Sequence, residues 1–332
     1  MGLEGSKSQC NIMFWNIHGQ VSKTLGDKFT DPEFLNVCKG YDILGLAELH
    51  TNSEPSIRGY TLIKDKIRAK NHKGPKIAGG IALFAKKEIA HMVKYVPNHH
   101  KDSVWVKLSK EATKEQRDIF IGTCYISPSN RKSPTNSELE GQHESVEKFF
   151  EEARNFSQKG EVILQGNINA RSGNEEDFIS KDKSDDLFGI ENVEVNLPRN
   201  SKDKKVCERG ALLLDLCRSL DFRVMNGRKP GDIFGNFTSM QWNGSAVVDY
   251  VITPALDCHR IIELFVGDFS PCLSDHCPLK YKLKLDLIRT PESEDPISMT
   301  KLPPRCKWNE TVRASFLDAL RSEQAKILSK PP

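Results

Sequence analysis

The stretch Glu161–Gly173, EVILQGNINARSG, decides the reading of this chain. Val162, Ile163 and Leu164 form an apolar run closed by a polar residue and a glycine, the pattern of a buried strand that stops. Asn167 and Asn169 follow, two positions apart, and strand alternation would send both amides to one face. An acid at that place would point to a metal or a proton acceptor. An amide only donates or accepts hydrogen bonds. What two neutral amides do at the end of a buried strand depends on the residues around them.

Similar runs recur along the chain: IMFWNI, YDILGLAEL, GGIALFA, SVWVKL, RDIFIGTCYI, SAVVDYVIT and HCPLKYKLKL. Each is roughly six to ten residues long, rich in β-branched or aromatic residues, and bounded by Gly, Pro, Asn or charge. Many are apolar enough to be buried on both faces. Helical patterns lie between them. HESVEKFFEEARNFSQKG sets Val146, Phe149, Phe150 and Ala153 at helical spacing, with Gly160 expected as its C-cap. ERGALLLDLCRSLDF is a second. Residues 10–287 therefore read as one α/β domain with two sheets inside and helices outside. Residues 1–9 read as a flexible leader; MGLEGS has the form of a myristoylation signal, but its small residues before the first strand read as a linker. Residues 288–308 hold four prolines and no periodicity, a linker, and 309–332 read as an amphipathic helix capped by Asn309.

The bulk numbers exclude several classes. At 332 residues, 38% hydrophobic and 28% charged, the chain has the composition of an ordinary globular protein. A net charge of +3 is too weak to attract a polyanion, so any such affinity must come from local patches. No apolar run approaches the roughly 20 residues that a membrane helix needs, and no membrane partner is expected. The nine cysteines, an odd number with no C-x-x-C pair, read as reduced thiols of an intracellular protein rather than a zinc site or disulfide framework.

Six sites share one oddity: a polar group in or just past the end of an apolar strand, most of them types that strands disfavour. They are Asn16, Glu48, Tyr125, Asn167 with Asn169, Asp249, and Asp275 with His276. One such residue is usually solvated or paired with a lysine, but six point to strand ends that converge on one pocket. Glu48 and Asp275 are hard oxygen donors suited to Mg²⁺. His276 can hydrogen-bond or protonate a phosphate or stabilise its developing charge, and Asp249 can orient that histidine. Neither a Walker-type loop nor a G-x-S-x-G motif occurs. The residues alone lead to metal-assisted phosphoester hydrolysis.

FWNIHG, LAELH, GTCYISP, GNINA, SAVVDYVIT and LSDHCPL, in this order and spacing, resemble the endonuclease/exonuclease/phosphatase superfamily over nearly all of residues 11–287. The stretch from LLLDLCRSLDF through GDIFGNFTS to SAVVDYVIT resembles the apurinic-like endonuclease domain of LINE-type non-LTR retrotransposons. The resemblance implies a DNase I-like, four-layered α/β sandwich, two packed mixed sheets flanked by helices. It implies Mg²⁺, with Mn²⁺ as a substitute, held by Glu48 with Asp275 and Asn16 near it. Tyr125 would contact the scissile phosphate, Asn169 would position phosphate or water, and Asp249 would orient His276. Thr238 would face the DNA. The implied activity nicks one strand of double-stranded DNA and leaves a 3′-hydroxyl, which primes a reverse transcriptase domain expected downstream, with the nucleus as the place of action.

Two positions depart from that pattern. Asn167 stands where relatives carry the aspartate of G-D-x-N, which orients or deprotonates the attacking water. An amide cannot accept that proton, a loss that typically costs about 10²–10⁴-fold in rate. One isosteric change among intact motifs favours a deliberate substitution over natural decay or a module that only binds. His18 stands where repair-type members often carry an acid.

DNA contacts are expected from basic loops. Lys64, Lys66, Arg68, Lys70, Lys73 and Lys76 precede the GGIALFA strand, and Arg199–Lys205 form a second candidate. Arg171, just past the site strand, is a candidate to bracket the phosphate; Trp242 is a candidate to stack on a base, whereas Trp15 reads as core. The competing functions are a binding module on the same fold, or hydrolysis of a phospholipid headgroup, an inositol phosphate or RNA.

Overall fold

The computed structural model describes residues 9–67, 79–113, 115–128, 136–179, 197–285, 287, 314 and 318. The elements begin with β1 (Gln9–Asn16), β2 (Val21–Ser22), β3 (Gly26–Asp27), α1 (Pro32–Cys38), β4 (Ile43–Ala47), β5 (Tyr60–Lys66) and β6 (Ile81–Lys86). They continue with β7 (Val93–Val96), β8 (Ser103–Leu108), α2 (Lys110–Thr113), β9 (Asp118–Tyr125), α3 (Asn136–Ser157) and β10 (Gly160–Asn167). The last are α4 (Glu208–Leu220), β11 (Phe222–Val224), β12 (Ser239–Gln241), β13 (Gly244–Ala246), β14 (Asp249–Pro254), β15 (Ile261–Val266) and β16 (Leu279–Lys284).

Alternation along β1 shows how these elements layer. Ile12 and Phe14 point to one side and join a cluster with Ile43, Leu83, Val106, Ile121, Ile163, Val251 and Tyr281, drawn from both large sheets. Met13 and Trp15 point to the other side and pack with Leu44, Leu46, Phe84 and, from α1, Phe34. The outer face of the second sheet, including Phe120, Val162, Leu164 and Tyr250, packs on Phe149 and Phe150 of α3 and Leu213 of α4. The result is helix, sheet, sheet, helix, the four-layered sandwich that the sequence leads one to expect. One sheet runs β15-β16-β1-β4-β6-β5 and the other β11-β14-β10-β9-β8-β7. Both are mixed: β1 pairs parallel with β4 and antiparallel with β16, and β10 pairs parallel with β9 and antiparallel with β14.

The inter-sheet core holds one polar knot. Gln165 donates to Thr123 Oγ1 at 2.9 Å and accepts from Tyr281 Oη at 2.9 Å. Gly45 makes room for it, since a β-carbon there would lie 2.5 Å from Gln165 Nε2. Burying these groups is tolerated because they satisfy one another.

Three local expectations are corrected. Gly160 does not cap α3, which ends at Ser157; it opens β10, where a β-carbon would meet the Asp118 carbonyl at 2.3 Å. The edge strands β5, β7 and β15 lack the unbroken apolar runs of the central strands, and sequence patterning passed over them. Of the leader read as 1–9, Gln9 instead begins β1, and the remainder lies outside the described residues, as do the proline-rich linker and most of the C-terminal segment read as a helix. In the C-terminal unit, 292–332, Ala314 and Asp318 are described and are helical. Among the described residues no helix is long and apolar enough to cross a membrane, and the described cysteines are free thiols.

Candidate active site

Register sets the first row of side chains. β9, β10 and β14 lie side by side, and Asn167 pairs with Tyr125 on one flank and Asp249 on the other. Three strand ends thus deliver three polar side chains to one line. Gly166 lets β10 approach β9 closely: a β-carbon there would meet Cys124 Sγ at 2.4 Å.

Within this row, Asn167 donates to Asp249 Oδ1 at 2.8 Å, and His276 Nδ1 lies 2.7 Å from Asp249 Oδ2. The carboxylate can only accept, so Nδ1 carries the proton and Nε2 is the nitrogen left to meet a substrate. Burial works against a charged imidazole, but the charge and hydrogen bond of Asp249, aided by Asp275 and Glu48, raise the His276 pKa to about 9. These charges favour the imidazolium form of His276. Asn167 is fully buried, and its Oδ1 has no hydrogen-bond partner among the described residues. An unpaired buried acceptor typically costs about 1–3 kcal/mol.

The second row belongs to the other sheet. Asn16 ends β1 and donates to Glu48 Oε1 at 2.9 Å, while its own carbonyl side chain accepts from the His18 backbone at 3.1 Å. Glu48 Oε2 faces His18 Nδ1 and His50 Nε2, each at 3.6 Å, and His18 Nδ1 also lies 3.3 Å from Asp275 Oδ1. Asp275 Oδ2 accepts from Gln241 at 3.0 Å, whereas Asp275 Oδ1 is shielded and has no hydrogen bond. Glu48 and Asp275 thus both face His18 and offer hard oxygen donors of the kind a divalent cation takes, with Asn16 holding Glu48 in place, although among the described residues no group of three or more His, Cys, Asp or Glu side chains is arranged to hold a metal ion.

The two rows are fastened by the Ser-Asp-His turn. Ser274 donates to the Asn16 carbonyl at 2.7 Å and accepts from the His276 backbone at 3.0 Å, and Trp15 Nε1 donates to the His276 carbonyl at 2.8 Å. Trp15 is core, as its sequence context indicates, yet it also anchors the site. Backbone strain collects here. His18, Glu48, His50 and Asn169 all have left-handed φ values between 48° and 54°. Such residues typically cost on the order of 1–3 kcal/mol each and persist only where packing over-determines them.

Each candidate from the sequence can now be located. Asn16, Glu48, Asp275, Tyr125, Asn167, Asp249 and His276 converge. Asn169 lies at the same end, but β10 stops at Asn167, so strand alternation does not govern it. Its left-handed backbone turns the amide to donate to the Ile126 carbonyl at 2.9 Å. Thr238 does not face solvent or DNA. It is fully buried, and its hydroxyl accepts from the Val248 and Asp249 amides at 3.0 and 3.1 Å, which aims the Asp249 backbone. Arg171 does not stand over the pocket as a phosphate clamp, because Asp203 holds its guanidinium at 2.6 and 2.8 Å. In the second basic segment Arg199 is buried and bonds Ser172, leaving only its lysines outward. Lys70 and Lys73 lie outside the described residues.

Several contributors went unread. Arg209 of α4 donates to the Ile168 and Asn169 carbonyls at 3.1 Å each and also bonds Gln142, which pins the turn after β10. Asn226 donates to the Asp249 carbonyl and accepts from Val251, bracing β14. Lys28 donates to the Ile17 carbonyl at 2.6 Å, and burial lowers it to about 8 despite the nearby Asp275. His50, two residues past Glu48, had a signal, a second imidazole beside an acid; the others act through tertiary contacts that no local pattern marks. A cleft of about 720 Å³ lined by His18, Lys28, His50 and Asp275 opens beside the site. Beside it lies a smaller one of about 470 Å³, lined by Met240, Trp242 and Phe269.

No family model and no curated protein matches the chain. Solved structures do. The endonuclease domain of TRAS1, a telomere-specific non-LTR retrotransposon, is 16% identical, with a TM-score of 0.52 over 84% of this chain and 99% of that one. The catalytic domain of Xenopus laevis APE2 is 14% identical, with a TM-score of 0.59 over 85% and 94%. The AP endonuclease LMAP from Leishmania major is 13% identical, with a TM-score of 0.57 over 85% and 88%. At such identities the likeness is one of fold: this chain carries a DNase I-like domain of two mixed sheets flanked by helices.

Proposed function

We propose that this domain binds double-stranded DNA at the carboxylate–histidine pocket and is built to hydrolyse one phosphodiester bond, leaving a 3′-hydroxyl. In this reading Glu48 and Asp275 would hold a divalent cation, Mg²⁺ by the chemistry of the two carboxylates with Mn²⁺ as a substitute, which would supply Lewis-acid polarisation of a phosphoryl oxygen. His276 meets the scissile phosphate through Nε2 and, as an imidazolium, stabilises the charge that develops there. Asp249 accepts from Nδ1 and fixes the orientation of the ring. Tyr125 borders the phosphate, and Asn169, held by Ile126 and Arg209, positions phosphate or water. The attacking water lies at Asn167, whose amide orients it but cannot take its proton. This chain is therefore a weak catalyst that keeps its substrate pocket.

The observation that carries this reading is the Asn167–Asp249–His276 chain, at 2.8 and 2.7 Å, with Glu48 and Asp275 on either side of His18 at the same strand ends. A retrotransposon endonuclease among the similar structures supports DNA over lipid or inositol phosphate. It also supports a reverse transcriptase downstream, for which the new 3′-hydroxyl would be the primer in the nucleus. The test is nicking of supercoiled plasmid with Mg²⁺ or Mn²⁺ by this chain, by Asn167→Asp, and by Asn167→Asp with Glu48→Ala. Nicking that appears with the first change and disappears with the second is expected. Silence in all three, with salt-sensitive duplex binding retained, sinks catalysis and leaves the binding module.

A further inference from the structure

We infer that the turn Asp232–Gly235 is an apolar prong that wedges Ile233 and Phe234 between base pairs of the bound duplex, beside the carboxylate–histidine pocket. The inference rests on the DNA reading above and adds a second point of contact with that substrate. The composition of the turn is the first observation. Asp at its first position and Gly at its fourth supply the turn chemistry, and Gly235 donates to the Asp232 carbonyl at 3.1 Å. The centre of such a turn favours Pro, Ser, Asn or Asp, yet here it holds Ile233 and Phe234, 55% and 72% exposed. Single exposed apolar residues are ordinary, but two at one tip do nothing for the fold and call for a partner. Rigidity is the second observation. Asp232 is buried, and its carboxylate accepts from the amides of Gly227 at 3.2 Å and Asn236 at 2.8 Å. Gly227 and Gly235, at φ 71° and 63°, pack so closely on the Asn200 carbonyl that a β-carbon on either would collide with it. Asn200 also donates its side-chain amide to the Ile233 carbonyl at 2.9 Å. A tip held this firmly loses little entropy when it inserts.

Place and charge identify the partner. Both feet of the loop stand on Asp249: Asn226 donates to its carbonyl at 3.2 Å, and the Thr238 hydroxyl accepts from its amide at 3.1 Å. Phe234 is separated from Thr238 by a stretch of chain that spans at most about 14 Å. Successive bases of one strand rise by about 3.4 Å, so the tip lies no more than about four base-pair steps from the residue that holds His276. The segment beside the turn is basic. Its Lys202 amide donates to the Gly235 carbonyl at 2.8 Å, and Lys202, Lys204 and Lys205 are exposed along it. An apolar tip rimmed by cations suits a duplex, whose phosphates meet the lysines while its bases meet the tip. Such wedges unstack a base step and kink the helix by about 20–90°. An apolar protein surface would give the lysines no counter-charge.

The experiment uses the full chain in EDTA, so that no cleavage interferes, and a short mixed-sequence DNA duplex with a dye at each end. Anisotropy across KCl concentrations gives affinity and its salt slope, and energy transfer between the dyes gives bending. The variants are Phe234→Ser, Phe234→Leu and Lys204→Gln, and thermal unfolding checks that each folds. The parent is expected to bend the duplex. Phe234→Ser should weaken binding by about fivefold or more, the worth of one stacked base, with the salt slope unchanged and the duplex straightened. Phe234→Leu should restore both affinity and bend. Lys204→Gln should lower the slope of log affinity against log salt by about 0.9 and keep the bend. A parent that binds the duplex but leaves it straight overturns the inference without recourse to any variant. Phe234→Ser that binds and bends as the parent does overturns it too, and in both cases the DNA reading stands on the parent's binding. If the parent self-associates and Phe234→Ser abolishes this with DNA binding unchanged, the tip is a contact between copies and the inference falls. A parent that binds no duplex at any salt removes both the inference and the DNA reading.

Discussion

Replacing Asn167 with aspartate should raise activity and lower stability together. In this chain the Asn167 amide donates to Asp249 Oδ1 at 2.8 Å. A carboxylate in its place would face Asp249 at that separation, and at an effective dielectric of about 20 the two charges repel by about 6 kcal/mol. The His276 imidazolium, with Nδ1 3.4 Å from the residue-167 amide nitrogen, offsets about 5 kcal/mol. About 1 kcal/mol of repulsion remains, and the lost hydrogen bond to a charged acceptor adds about 1.5–3 kcal/mol. The cation-free variant should thus be less stable by about 2.5–4 kcal/mol at pH 7, and its melting temperature lower by roughly 4–7 °C for a domain of this size. The pH dependence has a definite sign. The introduced carboxyl has its folded pKa raised by Asp249, above an unfolded value near 3.9. Its penalty is therefore absent below that unfolded value, where the protonated acid donates to Asp249 as the amide does. It grows as pH rises toward the folded value, and grows again as His276 loses its charge near 9. Nicking should rise by about 10²–10⁴-fold. Thermal unfolding in EDTA from pH 4 to 10, beside plasmid nicking, measures both. An unchanged or higher melting temperature at pH 7 would refute the electrostatic argument, and absent nicking would refute the proton-acceptor argument.

Other outcomes follow from the same geometry. Gly45→Ala forces a β-carbon onto Gln165 Nε2 and should cost about 1–3 kcal/mol in denaturant unfolding without altering DNA affinity. Arg209→Met, made on Asn167→Asp, frees the carbonyls of Ile168 and Asn169; nicking should fall by up to about 10²-fold while duplex binding stays within a few fold. Trp242 is 97% exposed, so Trp242→Ala should leave stability within about 0.5 kcal/mol. If its ring stacks on a base, the same change weakens DNA binding by about 1–3 kcal/mol, and unchanged affinity removes it from the interface. Asp177 is buried; burial raises its pKa, but the Arg228 guanidinium at 2.7 and 2.9 Å outweighs this and lowers it. Its stabilisation is thus present above the unfolded value near 3.9 and lost as pH falls through the folded one. Asp177→Asn should cost about 3–5 kcal/mol at pH 7 and flatten acid unfolding below pH 4.

Much of this protein is legible in its chain, for reasons that differ by residue. The central strands β1, β4, β6, β8, β9, β10 and β14 are covered on both faces, so each must be a continuous apolar run, whereas β16 alternates Leu279, Tyr281 and Leu283 with lysines because only one face is buried; a run and an alternation are both local signals. A polar residue at the end of such a run is conspicuous for the same reason. Asn16, Glu48, Tyr125, Asn167, Asp249 and Asp275 with His276 could therefore be picked out together, and their convergence follows from strands that end at one edge. The identity of residue 167 is also read from the chain itself, and an amide there hydrogen-bonds but does not accept a proton.

Only the tertiary structure decided which polar groups face inward and which partner each one takes. Thr238, Arg171 and Arg199 look in sequence like surface groups, but Val248, Asp203 and Ser172 approach them from distant segments and use their hydrogen bonds. Arg209, Asn226 and Ser274 shape the site through carbonyls that no spacing rule connects to them. The left-handed turns at His18 and His50, which bring two imidazoles to Glu48, arise where packing of both sheets overrides local backbone preference. Period and polarity are written residue by residue, whereas the choice of partner depends on which segments the closed core brings within about 3 Å of one another.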